Sequence, residues 1–94
     1  MREFEFSQKS LKEIDTIAEY LAFKWSTRVR EKFLNDLNKN FQFIASNPEM
    51  FPNGNYKKIN KCVVSKQTTI YFKFDTKKIT IVTVFDTRRN PNNI

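Results

Sequence analysis

The side chains best suited to chemistry in this chain are cations, and they are concentrated toward its C-terminus. Residues 51–94 hold nine Lys/Arg and only two acids, a difference of +7, whereas residues 1–50 hold eight of each and sum to zero. A cationic surface of this kind attracts phosphates or acidic polypeptides, because those partners supply the opposite charge. The candidate residues for binding nucleic acid or an acidic partner are Lys57, Lys58, Lys61, Lys66, Lys73, Arg88 and Arg89.

Several classes of site are excluded by residue types that the chain lacks or nearly lacks. It has no histidine and a single cysteine, Cys62, which argues against a Cys/His zinc site and excludes an internal disulfide. Gly54 is the only glycine, which rules out a glycine-rich phosphate loop. We therefore expect no metal and no cofactor, and we interpret Cys62 as a small core residue.

The length and hydropathy of the chain predict one small domain that spans residues 1–94, with residues 90–94 as a flexible polar tail. No apolar run approaches the roughly 20 residues of a membrane-spanning helix. The N-terminal residues show no apolar signal segment. We therefore expect a cytoplasmic protein without membrane contact.

A first helix is predicted in the charge-balanced half, where an apolar stripe recurs every three or four residues. Ser7 or Ser10 begins it, and Ser10 and Glu13 have the spacing of a capping box, in which each side chain satisfies a free backbone amide. The stripe consists of Leu11, Ile14, Ile17, Ala18 and Leu21.

A second helix follows after a very short connection. Ser26 or Thr27 caps it, and it ends at Asn47, because Pro48 disfavours helix in the residue before it. The short connection predicts an antiparallel helical hairpin, with Trp25 capping the core at the turn. The apolar stripe of this helix consists of Val29, Phe33, Leu37, Phe41 and Ile44.

Four segments have the pattern of strands. Residues 2–6 alternate phenylalanine with glutamate, which is typical of a half-buried strand. Three further strands are predicted at roughly Lys57–Val64, Thr68–Phe74 and Ile79–Phe85. The links between these three are short, which favours antiparallel hairpins.

The resulting order is β-α-α-β-β-β, an α+β fold. We expect the antiparallel helical hairpin to cover one face of a small, mainly antiparallel twisted sheet, because both apolar stripes then become buried. Side chains alternate between the two faces of a strand. That alternation places Lys61, Tyr71 and Lys73 on the face that the helices leave open.

The chain resembles the RelE/ParE superfamily of small bacterial toxins from type II toxin–antitoxin systems. The resemblance covers nearly the whole chain, from the opening strand to a β-branched strand that runs into an acidic residue and paired arginines. The segments that carry it are SLKEIDTIAEYL, FLNDLNKNFQFIASNP, KKINKCVVSKQTTIYFKF and KITIVTVFDTRRNP. The family implies a growth-inhibiting toxin that is neutralised by a cognate antitoxin protein.

The resemblance implies two activities. RelE-like members cleave messenger RNA in the decoding site of the ribosome without a metal, whereas ParE-like members inhibit DNA gyrase and are not nucleases. The sequence leaves both open, together with a third function, a nucleic-acid-binding module without toxicity. The target is therefore expected to be the ribosome with its mRNA, or DNA gyrase.

RNA cleavage without a metal needs a base, cations to stabilise the phosphate, and an acid for the leaving oxygen. The candidate catalytic set is Arg88 and Arg89 as the phosphate-binding cations, with Lys61 and Tyr71. Family members that cut RNA often carry a Tyr or His after the C-terminal arginine. This chain has the segment 90–94, Asn-Pro-Asn-Asn-Ile, in that place, which puts the acid in doubt.

Overall fold

The computed structural model describes residues 2–53 and 58–88, which form two helices packed against a four-stranded mixed sheet. The elements in chain order are β1 (Glu3–Phe6), α1 (Gln8–Lys24), α2 (Thr27–Ser46), a 3-10 helix (Pro48–Met50), β2 (Asn60–Val63), β3 (Thr68–Phe74) and β4 (Lys78–Asp86). The predicted α+β class and element order are confirmed. Within these residues, no helix combines the length and the apolar character needed to cross a membrane.

Ser7 forms the junction between β1 and α1. Its Oγ accepts a hydrogen bond from the N–H of Ser10 at 3.0 Å and donates one to the carbonyl of Val82 at 2.8 Å. Ser10 lies inside the helix, where its hydroxyl donates to the carbonyl of Ser7 at 2.8 Å. The predicted capping box of Ser10 and Glu13 is therefore wrong, and the alternative start at Ser7 is correct. Ser7 prevails because its backbone is extended, as an N-cap requires.

The connection between the helices consists of Trp25 and Ser26. Ser26 caps α2, because its Oγ accepts a hydrogen bond from the N–H of Val29 at 3.1 Å. The second helix ends at Ser46, one residue before the predicted end. Trp25 is the C-cap residue of α1 and is 58% exposed. The expectation that Trp25 caps the core is wrong, because at the end of the hairpin its side chain extends into solvent.

The strands of the sheet lie in the order β1-β4-β3-β2. β1 is parallel to β4, and the other two pairs are antiparallel hairpins, as predicted. β3 and β4 match their predicted ranges within one residue, but β2 is shorter than the predicted Lys57–Val64. Lys58 explains the difference, since its φ of 62° lies in the left-handed region and interrupts an extended chain. Lys57 lies outside the described residues.

β4 contains a bulge where it pairs with β3. Tyr71 lies opposite Thr83 and Phe72 lies opposite Ile81, so Val82 is an extra residue on β4. A bulge of this kind shifts the alternation of side chains by one position. As a result, Ile81 and Val84 both lie in the core although three positions separate them.

The core lies between the helical hairpin and one face of the sheet. Three phenylalanines, Phe4, Phe6 and Phe41, join β1 to α2 through edge-to-face contacts with ring centroids 5.1–5.8 Å apart. Cys62 is buried in this core, and burial raises the pKa of its thiol to about 11, so the thiol stays protonated at neutral pH. Its interpretation as a core residue is confirmed. The buried apolar residues are Ile17, Ala18, Leu21, Phe33, Leu37, Ile44, Cys62, Ile70, Phe72, Ile79, Ile81 and Val84.

Candidate binding face and C-terminal arginine clamp

The face of the sheet opposite the helices carries cationic and aromatic side chains of β2, β3 and β4. On β3, Ile70 and Phe72 are fully buried in the core, so the alternate residues project from the other side. The predicted placement of Lys61, Tyr71 and Lys73 on this side agrees with the strand register. We call this surface the open face, and it consists of Lys61, Val63, Thr69, Tyr71, Lys73 and Phe85.

The register arranges the open face in rows across the strands. Val63 lies opposite Thr69, and Thr69 lies opposite Phe85, so two apolar side chains flank a threonine. In the next row Lys61 lies opposite Tyr71. Residues opposite each other have Cβ atoms about 4.5–5.5 Å apart, close enough for side chains to meet. Val63 is 62% exposed and Phe85 is 43% exposed, so the rows present apolar surface to solvent beside a lysine.

Arg88 is bound to a buried carboxylate at the end of β4. Asp86 is 0% exposed, and the guanidinium of Arg88 donates to both of its oxygens, from Nε to Oδ1 at 3.1 Å and from Nη2 to Oδ2 at 2.9 Å. The backbone N–H of Arg88 donates to Oδ1 at 2.9 Å. The hydroxyl of Thr68 donates to Oδ2 at 2.6 Å. We call Thr68, Asp86 and Arg88 the arginine clamp.

The arginine clamp and the open face lie on opposite sides of the sheet. Thr68 and Asp86 are register partners, and both side chains are buried on the core side. Lys61 and Tyr71 project from the other side. The structure therefore brings Lys61 and Tyr71 together but separates both from the guanidinium of Arg88. Arg89 lies outside the described residues.

The remaining candidate cations are distributed over the sheet half of the molecule. Lys73 is exposed on the open face, Lys66 is exposed in the turn between β2 and β3, and Lys58 is exposed in the loop before β2. Among residues 2–53 and 58–88, no group of His, Cys, Asp or Glu is arranged to hold a metal ion. The open face offers positive charge, hydroxyl groups and aromatic rings to a partner.

Comparison with known proteins identifies the family. The family described as ParE toxin of type II toxin-antitoxin system, parDE, matches residues 4–91. The chain belongs to this family. Comparison with curated proteins gives no significant match for this ParE-family chain.

Solved structures of related toxins share the fold. The ParDE toxin–antitoxin system of P. aeruginosa gives a TM-score of 0.78 at 12% identity over 92% of this chain and 96% of that chain. The DinJ–YafQ complex of E. coli gives 0.65 at 18% identity over 94% and 96%. The YoeB dimer of Staphylococcus aureus gives 0.63 at 12% identity over 89% and 94%. At these identities the likeness extends to the fold alone, and it confirms a ParE/RelE toxin fold.

Glu13 of this ParE-family protein has a role that its spacing in the sequence did not reveal. β1 ends at Phe6, and beyond that point the carboxylate of Glu13 covers the edge of β4. Its Oε1 accepts from the hydroxyl of Thr83 at 2.7 Å and from the N–H of Val84 at 3.0 Å, while Oε2 pairs with Lys9 Nζ at 2.7 Å. Burial raises the pKa of Glu13, but these hydrogen bonds lower it more, so the pKa lies below its usual range.

Arg2 is a second residue whose role the sequence did not reveal. Its Nη2 pairs with Glu49 at 3.3 Å, its Nε donates to the carbonyl of Asp75 at 2.8 Å, and its guanidinium lies 5.4 Å from the ring centroid of Phe74. These contacts join the N-terminus, the 3-10 helix and the end of β3. No local pattern signals them, since the partners lie 47 and 73 residues away from Arg2 in the chain.

Proposed function

We propose that this protein is a growth-inhibiting toxin that a cognate antitoxin neutralises, and that it acts in the ParE manner by binding DNA gyrase. Membership of the ParE toxin family supports the toxin function. The similar structures include chains from toxin–antitoxin complexes, which supports an antitoxin partner. In this proposal the protein inhibits its target by occupying it, without a covalent step.

One observation carries the choice of binding over RNA cleavage: the guanidinium of Arg88 and the pair Lys61 and Tyr71 lie on opposite sides of the sheet. RNA cleavage requires the base, the cations and the acid to converge on one phosphate. The clamp keeps Arg88 away from the residues that were predicted to act with it. This arrangement supports a protein that binds its target.

The ion pair itself opposes the use of Arg88 on a phosphate. Asp86 is fully buried, so a guanidinium that left it would strand an uncompensated carboxylate in the core. Removing one partner from a buried ion pair is strongly destabilising for this reason. Arg88 therefore stabilises the end of β4 in this proposal. The catalytic set of Arg88, Arg89, Lys61 and Tyr71 stays a prediction that belongs to the RelE-like alternative.

Induction of the chain in a bacterial host tests the toxin function. We expect growth to stop on induction and to resume when the antitoxin encoded beside the gene is co-expressed. The matched control is a Phe72→Asp variant, which places a carboxylate in the core and prevents folding. Normal growth while soluble wild-type protein accumulates would contradict the proposal.

A second experiment separates the two mechanisms. We expect induced cells to show DNA damage and an SOS response while their messages remain intact. Purified protein should inhibit supercoiling of relaxed plasmid by gyrase. Primer extension on cellular messages gives the opposing measurement, since cuts at codon positions with undisturbed supercoiling would favour the RelE-like alternative.

A further inference from the structure

We propose that the turn of the helical hairpin binds the surface of membranes that contain anionic lipids. The rings of Phe23 and Trp25 enter the boundary between headgroups and acyl chains, and Lys24 and Arg28 contact the anionic headgroups. We call residues 22–28 the hairpin tip. The proposal goes beyond the toxin function and does not depend on it. Membrane contact was not expected because the chain lacks a membrane-spanning segment, but binding to the surface of one leaflet needs no such segment.

The hairpin tip projects from the folded core and carries two large aromatic rings. Leu21 of α1 and Phe33 of α2 are both buried, but every residue between them, 22–32, is half-buried or exposed. Phe23 is 87% exposed, and Trp25 extends into solvent two residues later. Neither ring contributes area to the core. Large apolar side chains that cluster in solvent indicate a site of interaction.

The same part of the hairpin carries positive charge that no acidic residue within it offsets. Residues 20–30 contain three cations, Lys24, Arg28 and Arg30, and no Asp or Glu. Glu31 pairs with Arg30 at 3.1 Å. Lys24 and Arg28 form no ion pair with the residues that the structure describes. Both charges are therefore available to an anionic partner.

This charge distinguishes the hairpin tip from the rest of the helical half. Residues 1–50 sum to zero, and residues 20–30 contribute +3. The other residues of this half hold five cations and eight acids, a difference of −3. An anionic membrane therefore attracts the hairpin tip and repels the helical surface behind it. This polarity orients the hairpin with its turn toward the membrane.

These features favour a lipid surface over an acidic protein. A standard protein interface uses about 20–30 residues on each side, whereas the hairpin tip consists of seven. An acidic peptide would satisfy the cations but would leave the two rings in water. A lipid surface receives both, because aromatic rings enter the boundary of headgroups and acyl chains while cations remain at the headgroups. Tryptophan is enriched at this boundary, since its ring is apolar and its N–H is polar.

The fluorescence of Trp25 tests the proposal directly, because it is the only tryptophan in the chain. The whole purified protein is mixed with vesicles that contain phosphatidylglycerol and phosphatidylcholine in equal amounts. We expect the emission to move to shorter wavelength and to be shielded from the aqueous quencher acrylamide, because the ring leaves water. Vesicles of phosphatidylcholine alone should give a much smaller shift, since they lack the negative surface potential that attracts cations.

Paired variants separate the hairpin tip from other exposed side chains of the helices, with co-sedimentation as the measure of binding to the anionic vesicles. Phe23→Ala should weaken binding about tenfold, the lower end of what burial of its ring contributes. Phe43→Ala removes an exposed ring near the other end of α2 and should leave binding unchanged. Lys24→Gln should weaken binding about fivefold, the contribution of one cation near an anionic surface, whereas Lys39→Gln on α2 should not.

Circular dichroism of each variant establishes that it is folded before its binding is compared. Absence of binding to the anionic vesicles would overturn the proposal, as would equal effects of Phe23→Ala and Phe43→Ala. Co-sedimentation that leaves the emission of Trp25 unchanged would also overturn it, because that result assigns the binding to the cations of the sheet half. If poly-L-glutamate shifted the emission as far as the anionic vesicles do, the hairpin tip would instead be a site for an acidic protein.

Discussion

The contacts of the Arg88 guanidinium are determined by the carboxylate of Asp86. The sequence alone makes Arg88 and Arg89 look like a matched pair of free cations at the end of a strand. In the folded protein the guanidinium of Arg88 instead meets a fully buried carboxylate in a two-point contact, and Thr68 satisfies the same carboxylate from β3. Two-point contacts of this kind are among the stronger polar interactions in proteins. Arg88 therefore has a structural role, because it stabilises the end of the sheet.

We expect Arg88→Met to lower the free energy of unfolding by about 2–3 kcal/mol, because it leaves the carboxylate of Asp86 buried without a counter-ion. Urea denaturation of the purified protein measures the change. The exposed Arg28 on α2 provides the control, and Arg28→Met should shift stability by less than about 0.5 kcal/mol. Adding Asp86→Leu to Arg88→Met should recover part of the loss. Equal stability of the two single variants would contradict the clamp.

The sequence could not have revealed the clamp. Asp86 and Arg88 are two positions apart at the end of a predicted strand, a spacing that is equally typical of two solvated charges. The deciding facts are that Asp86 points into the core and that Thr68 is its register partner. Both depend on the pairing of β3 with β4. The same limit applies to Arg2, whose partners come from distant segments of the chain.

At the scale of elements, the edge of β4 is completed by two different parts of the chain. β1 pairs with its first half, through Ile81, and Glu13 of α1 accepts the N–H of Val84 beyond that point. A side chain thus replaces a strand where β1 stops. The carboxylate of Glu13 therefore links the packing of α1 against the sheet to the hydrogen bonding of the β4 edge.

We expect Glu13→Gln to lower the urea midpoint at neutral pH and to lose this effect in acid. The pKa of Glu13 is lower in the folded protein than its value of 4.5 in a reference compound. Its ionised form therefore stabilises the fold fully above the unfolded pKa, and this contribution disappears as pH falls through the folded pKa. Denaturation at pH 7 and at pH 3 measures the difference.

Glu19→Gln is the matched control for this pH effect, because Glu19 is an exposed carboxylate on the same helix. Its urea midpoint should follow the wild type at both pH values. If the urea midpoint of Glu13→Gln differed from that of the wild type by the same amount at pH 7 and pH 3, the ionisation of this carboxylate would not be linked to folding.

Most elements followed from local patterns. The periodic stripes located both helices, Pro48 marked the end of α2, and β-branched runs located β3 and β4 within one residue. The errors arose where the backbone conformation and the tertiary contacts were not evident from the sequence. Ser7 rather than Ser10 caps α1, because its backbone is extended and its hydroxyl also donates to the carbonyl of Val82 on β4. β2 begins late because Lys58 adopts a left-handed conformation.

At the scale of the whole molecule, charge divides the chain into two halves. The helical half is neutral, and the half from residue 51 onward carries the whole +7. Among the described residues, the candidate cations of this half lie on the open face, in the loops and in the clamp. An asymmetric field still orients the protein toward an anionic target as it approaches.

We expect reversal of two charges on the open face, Lys61→Glu with Lys73→Glu, to reduce growth inhibition. The same reversal on the helices, Lys12→Glu with Lys39→Glu, changes the net charge equally and should leave inhibition intact. Viable counts after induction, at matched soluble levels, measure the difference. Equal toxicity of the two double variants would show that the target does not meet the open face.

β4 lies between β1 and β3, so the four-stranded sheet can assemble only after β4 has been synthesised. β1 is made first but hydrogen-bonds only to β4, whose paired residues lie 75 positions later in the chain. β3 also depends on β4 for one of its two neighbours. A product of premature termination or frameshift before residue 78 keeps both helices but has no strand to join β1 to β3. Such fragments lack the strand between β1 and β3, so we expect mutations that end the reading frame before residue 78 to prevent assembly of the four-stranded sheet.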